Sequence, residues 1–195
     1  MTMNAILGDF NICETGLGAK VHKPSAPKLG PMFIQVVSTA FLTVVRHYDK
    51  WKNLDAIDQP ALYGLRQLDP PQDLDVDRSA IETQARDSFT ASQALLEKEL
   101  SPSLYKELTS MYCGGTIDIA AEQWVTAVFD MIAAFRDADD KTALVESLKG
   151  LYFGRALSFM NQTWEMSSEQ AEEVIVEGAE LFHAQRGYLI KKLEA

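Results

Sequence analysis

The sequence has little of what usually reveals a function. It contains two cysteines, Cys13 and Cys113, in 195 residues. This is too few for a disulfide framework, so we expect a reducing, cytoplasmic setting. No stretch approaches the roughly eighteen consecutive apolar residues that a membrane span needs. Residues 1–10 have no basic patch followed by an apolar run, so we expect neither a signal peptide nor a transmembrane segment.

Positive charge is also scarce, and it is unevenly distributed. The chain carries 28 Asp and Glu against 18 Lys and Arg, a formal net charge of −10. Residues 51–195 hold 25 of the acidic and 13 of the basic residues, whereas residues 1–50 hold three and five. Binding to nucleic acid depends on neutralising phosphates, so this composition argues against nucleic acid as a partner. The basic cluster near the start suits a single small anion.

What the sequence does contain is helical periodicity and an apolar share of 47%, enough for a core. Pro31 opens a long apolar helix pattern that ends at Trp51. Further helices are predicted over 76–100, 102–111, about 118–139, 141–165 and, after a capping box at Ser167 and Gln170, up to 193. Residues 11–21 alternate as a strand does.

These patterns predict a mainly α protein, a helical bundle of about five to six helices with one or two short N-terminal strands. We divide the chain into three parts. Residues 1–51 hold the strand, a loop and the long helix, residues 52–75 form an extended linker rich in Pro and Asp, and residues 76–195 are helical.

The chemically richest segment lies where the predicted strand runs into a Pro-punctuated loop. It places Lys20, His22 and Lys23 within four positions, and binding residues are often found on such loops. Imidazole is a common metal ligand, and ammonium groups bind phosphate or carboxylate. From the residues alone, three interpretations stay open: a metal site with phosphate contacts, a small-anion site, or solvated side chains. No nucleophile or acid–base pair stands out, so no catalytic residue is assigned.

Several short patches resemble the C-terminal portion of family 2-type glycosyltransferases of the GT-A fold. Within that family the patches are similar to glucosyl-3-phosphoglycerate and mannosylglycerate synthases and to bacterial "cell wall" glycosyltransferases. The match covers most of the chain in order, and it rests on residues 12–14, Leu17–His22, 29–32, 35–37, 151–159 and 161–167.

The resemblance implies that His22 helps to hold a divalent metal, Mg²⁺ or Mn²⁺, on the diphosphate of a nucleotide sugar. Lys20, and with it Lys23, would contact the phosphates. The Asp-x-Asp motif and the nucleotide-binding half of such an enzyme are expected upstream of this histidine, where this chain has only about twenty residues and no Asp-x-Asp. The pattern Asp73-Leu-Asp75-Val-Asp77 lies downstream, in the linker, and is interpreted as a solvated turn and helix cap. We therefore expect an inactive acceptor-side segment that a separate N-terminal glycosyltransferase chain completes. Metal and nucleotide sugar would bind only to the completed enzyme.

A second hypothesis, from a different class, is a helical dimerisation or scaffold module with no catalytic activity. The apolar stripe from Phe33 to Trp51 is wide enough to pack on more than one neighbour. An apolar surface left uncovered tends to be closed by self-association. Both hypotheses therefore predict a homodimer.

Overall fold

The computed structural model describes residues 2–8, 10–15, 29–54, 60–64 and 76–195. The mainly α class is confirmed, since these residues form ten helices and two strands of three residues each. In chain order the elements are α1 (Thr2–Ile6), β1 (Cys13–Thr15), α2 (Leu29–Arg46), α3 (Tyr48–Trp51), β2 (Ala61–Tyr63), α4 (Arg78–Glu99), α5 (Pro102–Tyr112), α6 (Ala121–Asp137), α7 (Lys141–Ser147), α8 (Lys149–Thr163), α9 (Ser168–Ala184) and α10 (Arg186–Glu194).

Local sequence sets several of the helix ends. Asp77 caps α4, because its carboxylate accepts a hydrogen bond from the backbone N–H of Ala80 at 3.0 Å. The predicted capping box at the start of α9 is confirmed: the Ser167 hydroxyl accepts from the Gln170 N–H, and the Gln170 amide oxygen accepts from the Ser167 N–H. Shortly after α5, Gly114 has a φ of +145°, a value that favours glycine and turns the chain away from the helix.

Three of the predicted helices are each divided into two by a short turn. The divisions fall at His47, between α2 and α3, at Leu148, between α7 and α8, and at Gln185, between α9 and α10. The turn at His47 brings Trp51 back over α2, where its indole N–H donates to the carbonyl of Val44 at 2.8 Å. That carbonyl lies in the last turn of α2, where no helical donor is left for it.

Helices α4 and α8 pack closest together, and glycine makes this possible. A Cβ added to Gly150 of α8 would lie 2.6 Å from the backbone nitrogen of Phe89 in α4. One added to Gly154 would lie 2.0 Å from the hydroxyl of Tyr112. The Tyr112 ring stacks on Phe89, and its hydroxyl donates to the carbonyl of Gly150 at 2.7 Å. The close approach at Gly150 is thus to α4, and the one at Gly154 is to Tyr112 of α5.

The remaining core is centred on α6, whose buried side chains include Val125, Met131 and Phe135. Helix α2 crosses α6 and α7, and the ring of Phe41 meets Phe135 edge-on with centroids 5.7 Å apart. Helices α9 and α10 also pack against α6. The long apolar helix near the start and the helical region after residue 76 therefore share one core.

The two strands pair in parallel, with Cys13 opposite Ala61 and Thr15 opposite Tyr63. Strand β1 lies inside the stretch predicted as a strand, 11–21, of which residues 16–21 are outside the described part. Strand β2 lies within residues 52–75, which were predicted as an extended linker. All six strand residues are exposed.

The apolar spacing of the 141–165 helix pattern predicts that Trp164 is a core residue, and this prediction is wrong. Trp164 is 61% exposed just past the end of α8. The guanidinium of Arg78 lies 3.6 Å from the centroid of its ring and also donates to Asn161. The apolar pattern thus continues to the last turn of the helix, but the helix has left the core by that point.

Candidate functional site

The predicted site residues Lys20, His22 and Lys23 lie outside the described residues. In the described chain they are flanked by Thr15 at the end of β1 and Leu29 at the start of α2. Within the described ranges no group of three or more His, Cys, Asp or Glu side chains is placed to hold a metal ion. The metal and phosphate roles of these three residues stay predictions. The structure does describe the elements that flank this segment in the chain, which are strand β1 with its partner β2 and helix α2.

On one side is the parallel strand pair. Parallel strands are found almost only in sheets with both faces covered, because the connections between them place helices there. Here Leu62 is 50% and Tyr63 64% exposed, and Phe10, just before β1, is 71% exposed. Each strand also has one edge without a partner strand among the described residues, and such an edge carries unpaired backbone N–H and C=O groups. The pair therefore leaves apolar side chains and strand edges uncovered among the described residues.

On the other side is an apolar groove of about 370 Å³ along the first half of α2. Its floor includes the Phe33 and Tyr152 rings, whose centroids are 4.9 Å apart. At its rim Met32 is 49% and Val36 61% exposed. The full lining, all apolar or aromatic, is Met32, Phe33, Val36, Val37, Ala40, Phe41, Trp124, Val128, Leu148, Tyr152 and Phe182.

Helix α9 forms one wall of this groove through Phe182, which also packs edge-on against Phe129 at 5.5 Å. None of the 17 residues of α9 is buried. Ile175 is 59% and Val176 51% exposed, although both are apolar. The helix contains five Glu and neither Lys nor Arg. An amphipathic helix usually buries its apolar side, so α9 presents a second uncovered surface.

Among the described residues the most deeply buried charged group is Asp130 in α6, at 1% exposure. One of its oxygens accepts from the backbone N–H of Ser101 at 2.7 Å. The other accepts from the Tyr188 hydroxyl at 2.6 Å and lies 2.6 Å from the Lys192 ammonium. Through these three contacts Asp130 joins the start of α5 and helix α10 to α6. An aspartate inside the apolar run 124–135 was a signal that sequence reasoning missed.

The cluster shifts the pKa of its two α10 members. Burial raises the pKa of Tyr188, and its hydrogen bond to the Asp130 carboxylate raises it further. For Lys192 burial lowers the pKa, but the hydrogen bond to Asp130 and its negative charge outweigh burial, and the net pKa is raised. Both shifts favour the protonated forms, which are the forms that donate to Asp130.

The other two histidines do not form a site with these elements. His47 is half-buried at the turn between α2 and α3, and His183 is exposed on α9 beside the guanidinium of Arg186. The helix patterns around His47 and His183 predict packing or surface residues, and both positions agree with that prediction.

Comparisons with protein-family models, with curated proteins and with solved structures gave no match. Among the described helices, none has the length and apolarity that crossing a bilayer requires.

Proposed function

We propose that this chain is the acceptor-side, C-terminal portion of a nucleotide-sugar-dependent glycosyltransferase. Its donor-binding α/β half would come from another polypeptide or from another part of a longer one. The exposed parallel pair of β1 and β2 carries this proposal. Three-residue parallel strands with both faces exposed are poorly stabilised by themselves, and a larger sheet would supply the cover and the missing partner strands.

The direction of β1 supports the same arrangement. In open α/β sheets ligands bind beyond the carboxyl ends of the strands. The chain leaves the carboxyl end of β1 at Thr15 and reaches Lys20 and His22 five and seven positions later. The basic segment would therefore lie at the edge of the completed sheet where a nucleotide diphosphate binds.

The residue types suit the chemistry of sugar transfer. The nucleoside diphosphate that leaves the sugar develops negative charge, which a divalent cation stabilises when it is bound. His22 would offer an imidazole nitrogen to Mg²⁺ or Mn²⁺, and Lys20 and Lys23 would hold phosphate oxygens. Hard cations prefer oxygen ligands, so the carboxylates would come from the other half. The isolated chain is accordingly expected to transfer no sugar.

Calorimetry with Mn²⁺ and a UDP- or GDP-sugar tests the proposal. The titration is done with this chain alone and with this chain mixed with an α/β half that carries Asp-x-Asp and is encoded by a neighbouring reading frame. We expect binding only in the mixture. His22→Ala should weaken metal-dependent binding at least about tenfold, in line with the loss of one ligand-shell group. His183→Ala, which alters an exposed histidine on α9, is the control and should change nothing.

Hydrogen exchange tests the structural part separately. On mixing with the α/β half, the backbone N–H groups of residues 13–15 and 61–63 should gain protection, because they would enter a covered sheet. A mixture that binds nucleotide sugar while both strands exchange as before would show that the strand pair is not the junction. An unchanged affinity in His22→Ala would remove the imidazole from the site.

The second candidate is a helical dimerisation or scaffold module without catalytic activity. The observation in its favour is the uncovered apolar surface of α2, where Val36 is 61% exposed beside the groove. If no nucleotide sugar binds to the chain or to the mixture, this candidate takes precedence.

A further inference from the structure

We propose that α9 and α10 form a C-terminal flap that opens as one unit while the rest of the helical core stays folded. The flap comprises residues 168–194, and Asp130 of α6 is the catch that holds it closed. Opening uncovers apolar surface of α6 beside the groove along α2. It is independent of the glycosyltransferase proposal, because it depends only on how these helices pack.

Few buried side chains attach the flap to the rest of the protein. None of the 17 residues of α9 is buried, and of the nine residues of α10 only Leu189 is, whereas α6 alone buries seven. The two helices pack mainly on α6 and on each other. Regions with few buried apolar contacts open at a lower free energy than the whole protein unfolds. The flap is therefore the helical unit expected to open first.

The turn before α9 provides a hinge. Residues 164–167, between the end of α8 and the start of α9, are all exposed. No core packing therefore fixes the angle between these two helices. Hinges in proteins are commonly a few residues at the ends of elements, as these are.

Once detached, α9 has little to keep it helical. Glu169, Glu173 and Glu177 recur at intervals of four residues, a spacing at which like charges repel each other. Most of the stability of a helix in a protein comes from its packing, which opening removes. The backbone N–H groups of α9 therefore exchange with water in the open state.

Asp130 supplies the buried polar attachment of the flap. Its carboxylate accepts a hydrogen bond from the Tyr188 hydroxyl at 2.6 Å and lies 2.6 Å from the Lys192 ammonium. Both of these side chains belong to α10 and leave with the flap. The third donor, the backbone N–H of Ser101, lies at the start of α5 and stays with the core. Opening thus breaks two of the three contacts of Asp130.

Burial of Asp130 makes this catch weaker than its short distances suggest. None of the Asp130 side chain is exposed in the closed state. Removing a carboxylate from water has a large cost, which its donors have to offset. Opening returns the carboxylate to water and removes that cost. An apolar side chain at this place would gain no such hydration, so the aspartate favours reversible opening.

Opening also changes the groove along α2. Phe182 of α9 forms one wall of that groove, and its ring packs edge-on against Phe129 of α6. When the flap leaves, this wall is lost and the Phe129 ring is uncovered. The state of the flap thus determines how much apolar surface lies beside α2.

Native-state hydrogen exchange in low concentrations of urea tests the proposal, because it measures the opening of each helix separately. We expect the N–H groups in the middle of α9 and of α10 to exchange through one common opening. The urea dependence of that opening should be smaller than the dependence for α4 and α8, because it scales with the surface that becomes exposed.

Two kinds of variant separate flap opening from global unfolding. Lys192→Met and Tyr188→Phe each remove one donor to Asp130, so the opening of the flap should become at least about tenfold more frequent. Gly150→Ala disturbs the contact of α8 with α4, which persists in the open state. It should speed exchange in α4 and α8 and leave exchange in α9 and α10 unchanged.

Tyr48→Phe is the matched control for the loss of a tyrosine hydroxyl. The Tyr48 hydroxyl donates to the carboxylate of Glu194, also in α10, but this contact is exposed. Polar pairs that stay in water contribute little to stability. Exchange in α9 and α10 should therefore change less in Tyr48→Phe than in Tyr188→Phe.

Three results would overturn the proposal. If Gly150→Ala speeds exchange equally in α4, α8, α9 and α10, the chain opens only as a whole. If α9 and α10 open with different urea dependences in the wild-type chain, they are not one unit. If Lys192→Met and Tyr188→Phe both leave exchange in α9 and α10 unchanged, Asp130 is not the catch.

Discussion

The close approach of the α8 backbone to the α4 backbone at Gly150 offers a sharp test of how these helices pack. In Gly150→Ala the new methyl group would lie 2.6 Å from the backbone nitrogen of Phe89, 2.9 Å from its Cα and 3.1 Å from the carbonyl carbon of Ser88. All three are main-chain atoms of α4, so no side chain can rotate out of the way. Helix α8 would have to move away from α4 by several tenths of an ångström. That movement would also loosen the Tyr112 ring, whose hydroxyl is bound to the Gly150 carbonyl.

Two opposing terms give the magnitude. Overpacking a tight core costs about 1–3 kcal/mol and occasionally more, and a rigid backbone obstacle points to the upper end. Replacing glycine by alanine inside a helix returns about 1 kcal/mol through helix propensity. We therefore expect Gly150→Ala to lower the free energy of unfolding by about 2 kcal/mol.

Urea denaturation followed by circular dichroism measures this change, and an unaltered m value would show that the compactness of the folded and unfolded states is unchanged. Gly187→Ala in α10 is the matched control, because nothing lies within 4 Å of an added Cβ there. It should raise stability by about 0.5–1 kcal/mol. If Gly150→Ala gains as much as the control, α4 and α8 are not in the close contact described above.

Three further predictions follow from single contacts. Gly154→Ala should destabilise the fold because its methyl group would meet the Tyr112 hydroxyl. Adding Tyr112→Phe removes that oxygen and should recover part of the loss. Denaturation of the single and double variants measures this coupling, and strictly additive losses of stability would contradict it. Asp130→Asn should cost about 2–3 kcal/mol in the same assay through its charged hydrogen bonds. Because the pKa of Lys192 is raised from its ordinary value of 10.5 in the folded chain, the stability that it contributes should be complete below that pH and should fall as pH rises through the raised value. A wild-type stability profile that stays flat to higher pH would contradict this. An equal loss of stability at high pH in Asp130→Asn would also contradict it. Ser167→Ala should remove one arm of the capping box of α9 and cost about 1 kcal/mol, whereas Ser167→Asp, which keeps an acceptor, should not.

Much of the helical structure could be predicted from the sequence because its signals are local. The Ser167–Gln170 pair acts within one turn of the chain and marks the start of α9. Pro102 likewise stands in the first turn of α5, although the Ser101 hydroxyl before it makes no capping hydrogen bond. The short turns at Leu148 and Gln185 could not be predicted in this way. The apolar spacing continues through both, and their positions depend on which neighbouring helix each half contacts.

For the candidate site, too, the sequence and the structure contribute different parts. Residue types and spacing drew attention to Lys20, His22 and Lys23, which lie outside the described residues, so their role continues to rest on the sequence. The surfaces that the structure adds are the strand pair, the apolar groove along α2 and the exposed side of α9. Periodicity alone predicted a wide buried stripe on α2, but a stripe does not say how much of its width the neighbours cover. Val36 is left exposed because α6 and α7 approach α2 from one side.

Taken alone, the amino-acid order determined that this protein is built of helices, where most of them begin, and that its first fifty residues differ in charge from the rest. Those properties depend on neighbours a few positions apart. Only the tertiary structure decided that Asp130 is buried among three donors, that glycines 150 and 154 let α8 approach α4 and α5, and that β2 pairs with β1 in parallel. Each of these joins residues that are far apart in the chain, and their contact depends on how the whole core closes.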